Sequence, residues 1–407
     1  MLHRPIAEQV VIALQDTFGA DGGPGYQSDK VIERLFKRNR KLGARDRRFI
    51  AETTYDIIRN WRFLWTALEF AQPSLERADL ILLIGAWMIL KGQSLPGWPE
   101  FAGLKSAGVL EGAARARATS VAVKESVPDW LYEYGKREIG DEWDSMLHAL
   151  NEPAPVCMRA NRLKGTREDL IEALKREEIP AHIAPETDDG IILDERRNIF
   201  STAAFKAGLF EIQDGASQQV APLVAAKPGD RVIDACAGGG GKTLHLAALM
   251  KNKGKIISMD VSERKLQSLR ERCTRAGVDI AEVRVIESMK TIKRLEKTAD
   301  RVLLDVPCTG LGVLRRNPDK KWKISLEEIE RLQTLQAEIL AGYSQMVKTG
   351  GTLVYATCSC LPSENEKQVS RFLLETGTAW ELVQEKKFAP GHNGYDGFYA
   401  AALVRRD

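Results

Sequence analysis

The sequence predicts an α/β protein whose C-terminal half is an open, doubly wound sheet, preceded by a small α+β unit and an all-helical N-terminal region. Three observations carry this reading. From about residue 206, short and nearly continuous apolar runs ("RVIDACAG", "GKIISMD", "ADRVLLDVP", "GTLVYATCS") alternate with helical stretches, the pattern of parallel strands covered on both faces. A Pro-rich break, "NEPAPV", interrupts the chain near 151–156. Before that break apolar residues recur at helical spacing, with no strand alternation and no internal repeat.

In chain order, residues 1–145 read as a helical domain, with helices in "IAEQVVIALQDTF", "RRFIAETTYDIIRNWRFLWTALEF" and "DLILLIGAWMIL" and Gly/Pro-rich links such as "GADGGPG" and "LPGWPEFAG". Residues 146–205 read as a small α+β unit. It has an extended run "VCMRAN", a helix opened by Thr166 and Asp169 in capping positions, and strand-like "AHIAP" and "GIILD". Residues 206–407 form the large α/β domain. Its helices have readable ends: Ser262 opens one that stops at Gly277, Ser325 with Glu328 opens a long one ending near Gly350, and Ser363 with Glu366 opens another.

Composition excludes several classes. The chain has 407 residues, 44% hydrophobic and 28% charged, with a net charge of only +3. The longest apolar run, residues 80–90, is far short of the roughly 20 residues a membrane helix needs, so it is expected to be a core helix. The N-terminus lacks the pattern of a signal peptide, and six cysteines are too few for a disulfide framework, so a cytoplasmic protein with reduced thiols and no membrane partner is expected. Charge is uneven: 36–49 holds seven Lys or Arg against one Asp, 315–323 five against one, and 153–167 four with no acid. Three such runs point to a polyanion such as RNA.

The chemistry gathers where ligands of open α/β sheets bind, beyond the carboxyl ends of the strands. Those ends carry "DACAGGGGKT" (234–243), Asp260, "DVPCTG" (305–310) and "TCS" (357–359). Gly238 to Gly241 allow close approach of backbone to ligand, and the helix that follows offers free N–H groups. A P-loop is excluded because Cys236 stands where its first glycine should be. Asp260, 22 residues after Gly238, suits ribose hydroxyls, so an adenosine-bearing cofactor is expected, either NAD(P) or S-adenosylmethionine. Cys308 and Cys358 favour the second. Cys358-x-Cys360 with Cys308 lacks a fourth zinc ligand, and no Cys-x-x-Cys redox pair is present. A thiol is needed to methylate carbon 5 of a pyrimidine, which becomes nucleophilic only after a thiolate adds at carbon 6. Two inert core thiols are the bland alternative.

The stretches "FEIQDGASQQVA", "DACAGGGGKT", "LLDVPCTGLGVLRRNPDKKW" and "LVYATCSCLPSENE" resemble, in order, the S-adenosylmethionine-dependent RNA (cytosine-5) methyltransferases of the RsmB/NOP group. The two front domains are similar to those of the group's bacterial 16S ribosomal RNA member, whose helical domain is similar to the antitermination factor NusB. The resemblance implies a Rossmann-like class I methyltransferase domain at 206–407 and an RNA-binding helical domain at 1–145. It implies S-adenosyl-L-methionine as cofactor, with Cys236, Ala237, Gly238, Gly239, Gly240, Gly241 and Lys242 around its methionine end and Asp260 at its ribose. It implies that Asp305 lies between cofactor and cytosine, that Cys358 is the nucleophile and that Cys308 helps to release product. Cys360 is outside the motif and is expected to be packing. The sequence departs from the group at Gly239, where a proline is usual, which should loosen the loop. It departs again at the adenine-side carboxylate, for which Glu287 is the candidate in place of Asp. The expected substrate is ribosomal RNA, acted on by a monomer. Transfer RNA, a non-catalytic RNA-binding scaffold and an NAD(P)-dependent oxidoreductase are the alternatives.

Overall fold

The computed structural model describes residues 2–20, 23 and 25–407, and the chain forms two units. The first takes in the chain up to Glu152 together with Leu314–Ile324; the second is Pro153–Val313 with Ser325–Asp407. The glycine-rich link expected at 19–25 falls partly outside the described residues.

The first unit is helical. Helix Arg77–Leu90 carries the apolar run and is core, with Leu80, Leu83 and Ile84 fully buried. It packs with helices Arg4–Phe18, Ala44–Arg59 and Ser106–Thr119. The stretch expected as one helix across 47–70 breaks at Asn60 (φ −106°, ψ 24°) into Ala44–Arg59 and Trp61–Ala67. Helices continue to Glu142–Asn151, six residues beyond the expected boundary at 145.

The segment 314–324 corrects a larger expectation. The sequence places it in the α/β domain and reads its basic run as an RNA contact, yet it is built into the helical unit. Lys321 is 1% exposed, and its Nζ donates to the carbonyl of Arg59 (2.7 Å) and to Asn151 Oδ1 (3.0 Å). Trp322 Nε1 donates to the Ile58 carbonyl at 2.8 Å, and Ser28 Oγ donates to Asp319 Oδ1 at 2.6 Å. An ammonium can be buried only when its donors are satisfied. Here carbonyl and amide oxygens do so, and burial holds its pKa well below the usual lysine range. Basic sequence alone does not separate such a clamp from a solvated patch. Of the three basic runs, 36–49 is the one whose cations mostly face solvent: Lys37, Arg38, Arg40, Lys41, Arg45 and Arg48 are exposed.

The second unit holds two sheets. Strands β1 (Cys157–Ala160), β2 (Ala181–Ile183), β3 (Gly190–Leu193) and β4 (Phe210–Ile212) form an antiparallel sheet in the order β2-β3-β1-β4. Thr166 and Asp169 make the expected capping box for helix Arg167–Arg176. Strand β4 lies beyond the expected boundary at 205. It belongs to the small sheet because Met158, Arg159 and Ala160 pair with Ile212, Glu211 and Phe210.

The large sheet contains β5 (Arg231–Asp234), β6 (Lys255–Asp260), β7 (Ala281–Val285), β8 (Ala299–Asp305), β9 (Val347–Thr357), β10 (Trp380–Phe388) and β11 (Phe398–Arg405). Their order is β10-β11-β9-β8-β5-β6-β7, with β7 through β9 mutually parallel by way of β5 and β6, and β10 and β11 antiparallel. The four apolar runs are β5, β6, β8 and β9, the central strands. Edge strands β7 ("AEVRV") and β10 ("WELVQEKKF") carry charges on faces open to water, so no apolar run marks them.

Two helix ends also differ from expectation. The helix opened by Ser325 is Leu326–Tyr343 and stops well before Gly350, because Val347 already pairs with Ala299 as β9 begins. The next helix, Glu366–Thr376, starts from Asn365, not Ser363, which lies in a 3-10 turn. The Asn365 side chain does not cap the helix. It accepts from Thr357 Oγ1 and donates to the Ser359 carbonyl, and so holds the loop that carries Cys358.

Candidate active site

The central parallel strands bring the predicted residues together. Asp305 closes β8 opposite Ala356 of β9, so the chain leaves both strands side by side towards Cys308 and Cys358. The two sulfurs lie 3.3 Å apart. Gly312 N–H donates to the Cys358 carbonyl at 3.0 Å, and a Cβ at 312 would lie 2.8 Å from that oxygen and 2.2 Å from the Gly397 carbonyl. Only glycine allows this approach.

Lys242 reaches the same place from the adjacent strand. It sits in the first turn of helix Gly241–Leu249, and its Nζ donates to Asp305 Oδ2 at 2.6 Å and lies 4.9 Å from the ring centre of Phe398. This pairing of two predicted residues was not visible in sequence. Asp234, fully buried at the end of β5, anchors the same helix by accepting from Thr243 Oγ1 at 2.7 Å; burial pushes its carboxyl up to about 7.

One buried carboxylate that sequence reading missed ties the two thiol loops. Glu364 accepts from Thr309 N–H (2.9 Å), Thr309 Oγ1 (2.5 Å), Ser359 Oγ and Gln336 Nε2 (2.9 Å). Thr309 follows Cys308, and Ser359 follows Cys358. Gln336 also donates to the Pro307 carbonyl at 3.0 Å, on the other side of Cys308. In "PSENE" nothing in the residue type distinguishes Glu364 from the nearby Glu366, which is only half-buried.

The other cysteines differ. Burial pushes the thiols of Cys360 and Cys236 well up, with the carboxylates of Asp234, Asp305 and Asp260 adding to the effect at Cys236. Both stay protonated at neutral pH. Cys360 Sγ would lie 2.6 Å from a Cβ at Gly397, which places it in packing.

The glycine turn and Asp260 form a cradle. Gly238 (φ +54°) and Gly240 (φ +88°) take the left-handed conformation, and a Cβ at 240 would lie 2.6 Å from Leu269 Cγ. Asp260 accepts from Gly238 N–H (3.0 Å) and Ser262 N–H (2.8 Å), one on each oxygen, which fixes the carboxylate and leaves further lone pairs for hydroxyl donors. Lys242 heads a helix whose first N–H groups have no intrahelical partner. A tight backbone cradle, a helix N-terminus and a fixed carboxylate fit the carboxylate and ribose ends of S-adenosylmethionine. Glu287 is exposed, two residues beyond Val285, which pairs with Asp260; it stands at the same end of the sheet, outside the cradle's hydrogen bonds.

A seven-stranded sheet of this order, with a glycine turn after β5 and a carboxylate ending β6, defines the S-adenosylmethionine-dependent methyltransferase class. Comparison with known proteins narrows it. Residues 221–404 match the family described as 16S rRNA methyltransferase RsmB/F, and residues 127–200 match the ferredoxin-like domain of RsmF/B-like methyltransferases. Two curated relatives named ribosomal RNA small subunit methyltransferase B are 34% identical over 299 residues (Pseudomonas syringae pv. tomato) and 35% identical over 289 residues (Shewanella oneidensis). The aligned segments cover 70% and 69% of this chain and 66% and 67% of those proteins, so the match spans about two thirds of each relative. A solved methyltransferase homolog from Pyrococcus horikoshii, 28% identical, superposes with a TM-score of 0.62 over 70% of this chain and 97% of its own. The chain belongs to the RsmB/F family of methyltransferases.

Proposed function

We propose that this protein methylates carbon 5 of a cytosine in small-subunit ribosomal RNA, with Cys358 as nucleophile. The observation that carries the proposal is the pair of thiols 3.3 Å apart at the ends of adjacent parallel strands, beside the Lys242–Asp305 pair. One thiol alone would suffice for attack; a second in contact suits a reaction that must also undo its own covalent bond.

In this reading the Cys358 thiolate adds to carbon 6 of the cytosine, and the ring electrons move towards nitrogen 3. A thiol near its ordinary pKa is mostly protonated at neutral pH, so the site must favour the thiolate. Lys242 and the N-terminus of helix Gly241–Leu249 supply fixed positive charge. In this reading Asp305 carries a proton on the oxygen that faces nitrogen 3 and donates it as negative charge develops there, and Lys242, which donates to the other oxygen, stabilises the carboxylate left behind. S-adenosylmethionine, held by residues 236–242 and Asp260, would supply an electrophilic methyl group for carbon 5 and leave as S-adenosylhomocysteine. Cys308, 3.3 Å from Cys358, then acts as the base that takes the carbon 5 proton; the electron pair reforms the 5,6 double bond and expels Cys358 as thiolate, while nitrogen 3 gives its proton back to Asp305. Glu364 fixes the loops on which both thiols stand. The target cytosine must leave its stack to reach the thiols.

Residues 236–242 hold the methionine end of the cofactor, Asp260 its ribose and Glu287 the side of its adenine. The helical unit, with its exposed run at 36–49, contacts RNA backbone, and the protein acts as a monomer in the cytoplasm. Support for ribosomal RNA comes from the names of the curated relatives.

Two experiments test this. Bisulfite sequencing of ribosomal and transfer RNA from a strain lacking the protein should show one small-subunit cytosine losing protection. Loss confined to a transfer RNA would assign a different substrate, and an unchanged pattern in both would contradict the activity. Separately, Asp260→Ala should weaken S-adenosylmethionine binding by about tenfold or more, through loss of a charged hydrogen-bond acceptor, with RNA affinity unchanged. Calorimetry on both ligands checks this, and unaltered cofactor affinity would remove Asp260 from the site.

A further inference from the structure

A group of charged side chains that the chemistry does not use joins the small sheet to the glycine turn. Arg159 of β1 is 2% exposed and Glu211, its cross-strand partner on β4, is 4% exposed. Arg159 Nη1 donates to the Gly241 carbonyl at 2.8 Å and to Gln213 Oε1. Arg272, on helix Glu263–Ala276, grips Glu211 Oε2 through Nε (3.1 Å) and Nη2 (2.9 Å), and its Nη1 donates to the Gly239 carbonyl at 2.7 Å. Arg275 Nη2 donates to the second oxygen of Glu211.

The geometry has a direct consequence for the loop. Peptide units are planar and trans, so holding the carbonyl of one residue fixes the N–H of the next, pointing the opposite way. Arg272 thus sets the peptide between Gly239 and Gly240, whose N–H closes the turn on the Ala237 carbonyl at 2.8 Å. Arg159 sets the peptide between Gly241 and Lys242, and with it the Lys242 N–H in the first turn of the helix. Four consecutive glycines have the greatest backbone freedom of any sequence and lose the most on ordering. The looseness expected from glycine at 239 is countered by a guanidinium on its carbonyl. Glu211 in turn fixes that guanidinium, because one of its oxygens accepts two of the fork's N–H groups while its other oxygen is held by Arg275.

We infer that Arg272, Arg159 and Glu211 are positioning residues for the cofactor loop, through which the small sheet contributes to S-adenosylmethionine affinity. The inference rests on residues 236–242 taking the cofactor.

The test uses full-length protein, with S-adenosylhomocysteine as the calorimetric probe and hydrogen exchange read by mass spectrometry over peptides spanning 236–244. Arg272 has a quarter of its side chain exposed, so Arg272→Ala is a mild change for the fold. It should raise the dissociation constant about tenfold, the order expected when a charge-assisted hydrogen bond that orders a binding loop is lost. It should also speed exchange in the loop and leave β8 and β9 as protected as in the parent. Glu211→Gln frees the guanidinium without touching the loop and should shift both readouts in the same direction by less. Arg272→Lys keeps the charge but not the fork, and should fall between parent and Arg272→Ala. Parental affinity and loop exchange in Arg272→Ala and Glu211→Gln would overturn the inference. So would faster exchange across the small sheet with cofactor affinity intact, which would mean the cluster only joins two sheets. If the parent itself does not bind S-adenosylhomocysteine, the assignment of the loop to the cofactor fails, and the inference fails with it.

Discussion

Cys358→Ala is expected to abolish methyl transfer, by at least about 10⁴-fold, while S-adenosylhomocysteine binding stays within a factor of two or so of the parent. Without the thiolate, carbon 5 has no enamine behind it and cannot take the methyl group at a useful rate. The glycine turn 238–241 and Asp260 follow β5 and β6, whereas Cys358 follows β9, two strands from β5, so removing its thiol leaves that cradle in place. Transfer of tritiated methyl groups to small-subunit RNA, with calorimetry in parallel, measures both quantities. Substantial remaining activity in Cys358→Ala would move attack to Cys308, the other thiol in the site.

Asp305→Asn is expected to lower the single-turnover methylation rate by about 10²–10⁴-fold, the range for losing a positioned acid–base group. The amide keeps the size of the side chain, but it has no acidic proton to give to nitrogen 3. Its amide nitrogen can also meet Lys242 Nζ donor to donor, in place of the 2.6 Å ion pair. Lys242→Met should act in the same direction by removing the other half of the pair. Rapid-quench assays at saturating cofactor and RNA separate this from weaker binding. A variant with parental single-turnover rate and only a higher KM would show that Asp305 binds but does not take part in the chemistry.

How much of this was legible in the sequence depends on what each residue touches. The four central strands announced themselves because strands covered on both faces are nearly all apolar. Edge strands β7 and β10 did not, since they carry charges, and β11 went unread beside them. Ser262 and Gly277 marked a helix correctly because capping is local. Tyr343 ended its helix early because of a distant partner, the pairing of Val347 with Ala299. Within the site, Cys308, Cys358, Asp305, Lys242 and Asp260 could be named from motifs at strand ends. Glu364, Arg272 and the pairing of Lys242 with Asp305 could not, because each depends on groups 28 to 63 residues away in sequence. The run at 315–323 reads as a solvated basic patch for the same reason. Lys321 looks like any surface lysine until the carbonyl of Arg59 and the amide of Asn151 are placed beside it.

The central claim is that Cys358 attacks and Cys308 assists release, and a trapped covalent intermediate tests it most directly. Cys308→Ala, incubated with small-subunit RNA and labelled S-adenosylmethionine, should attack and methylate but then stall. The product is expected to be a protein–RNA conjugate that survives denaturing gel electrophoresis and carries the methyl label. Cys358→Ala and the double variant should form none, and Cys360→Ala should turn over like the parent. A stable conjugate in Cys358→Ala, or none in either single variant while methylation continues, would contradict the assignment of the two thiols.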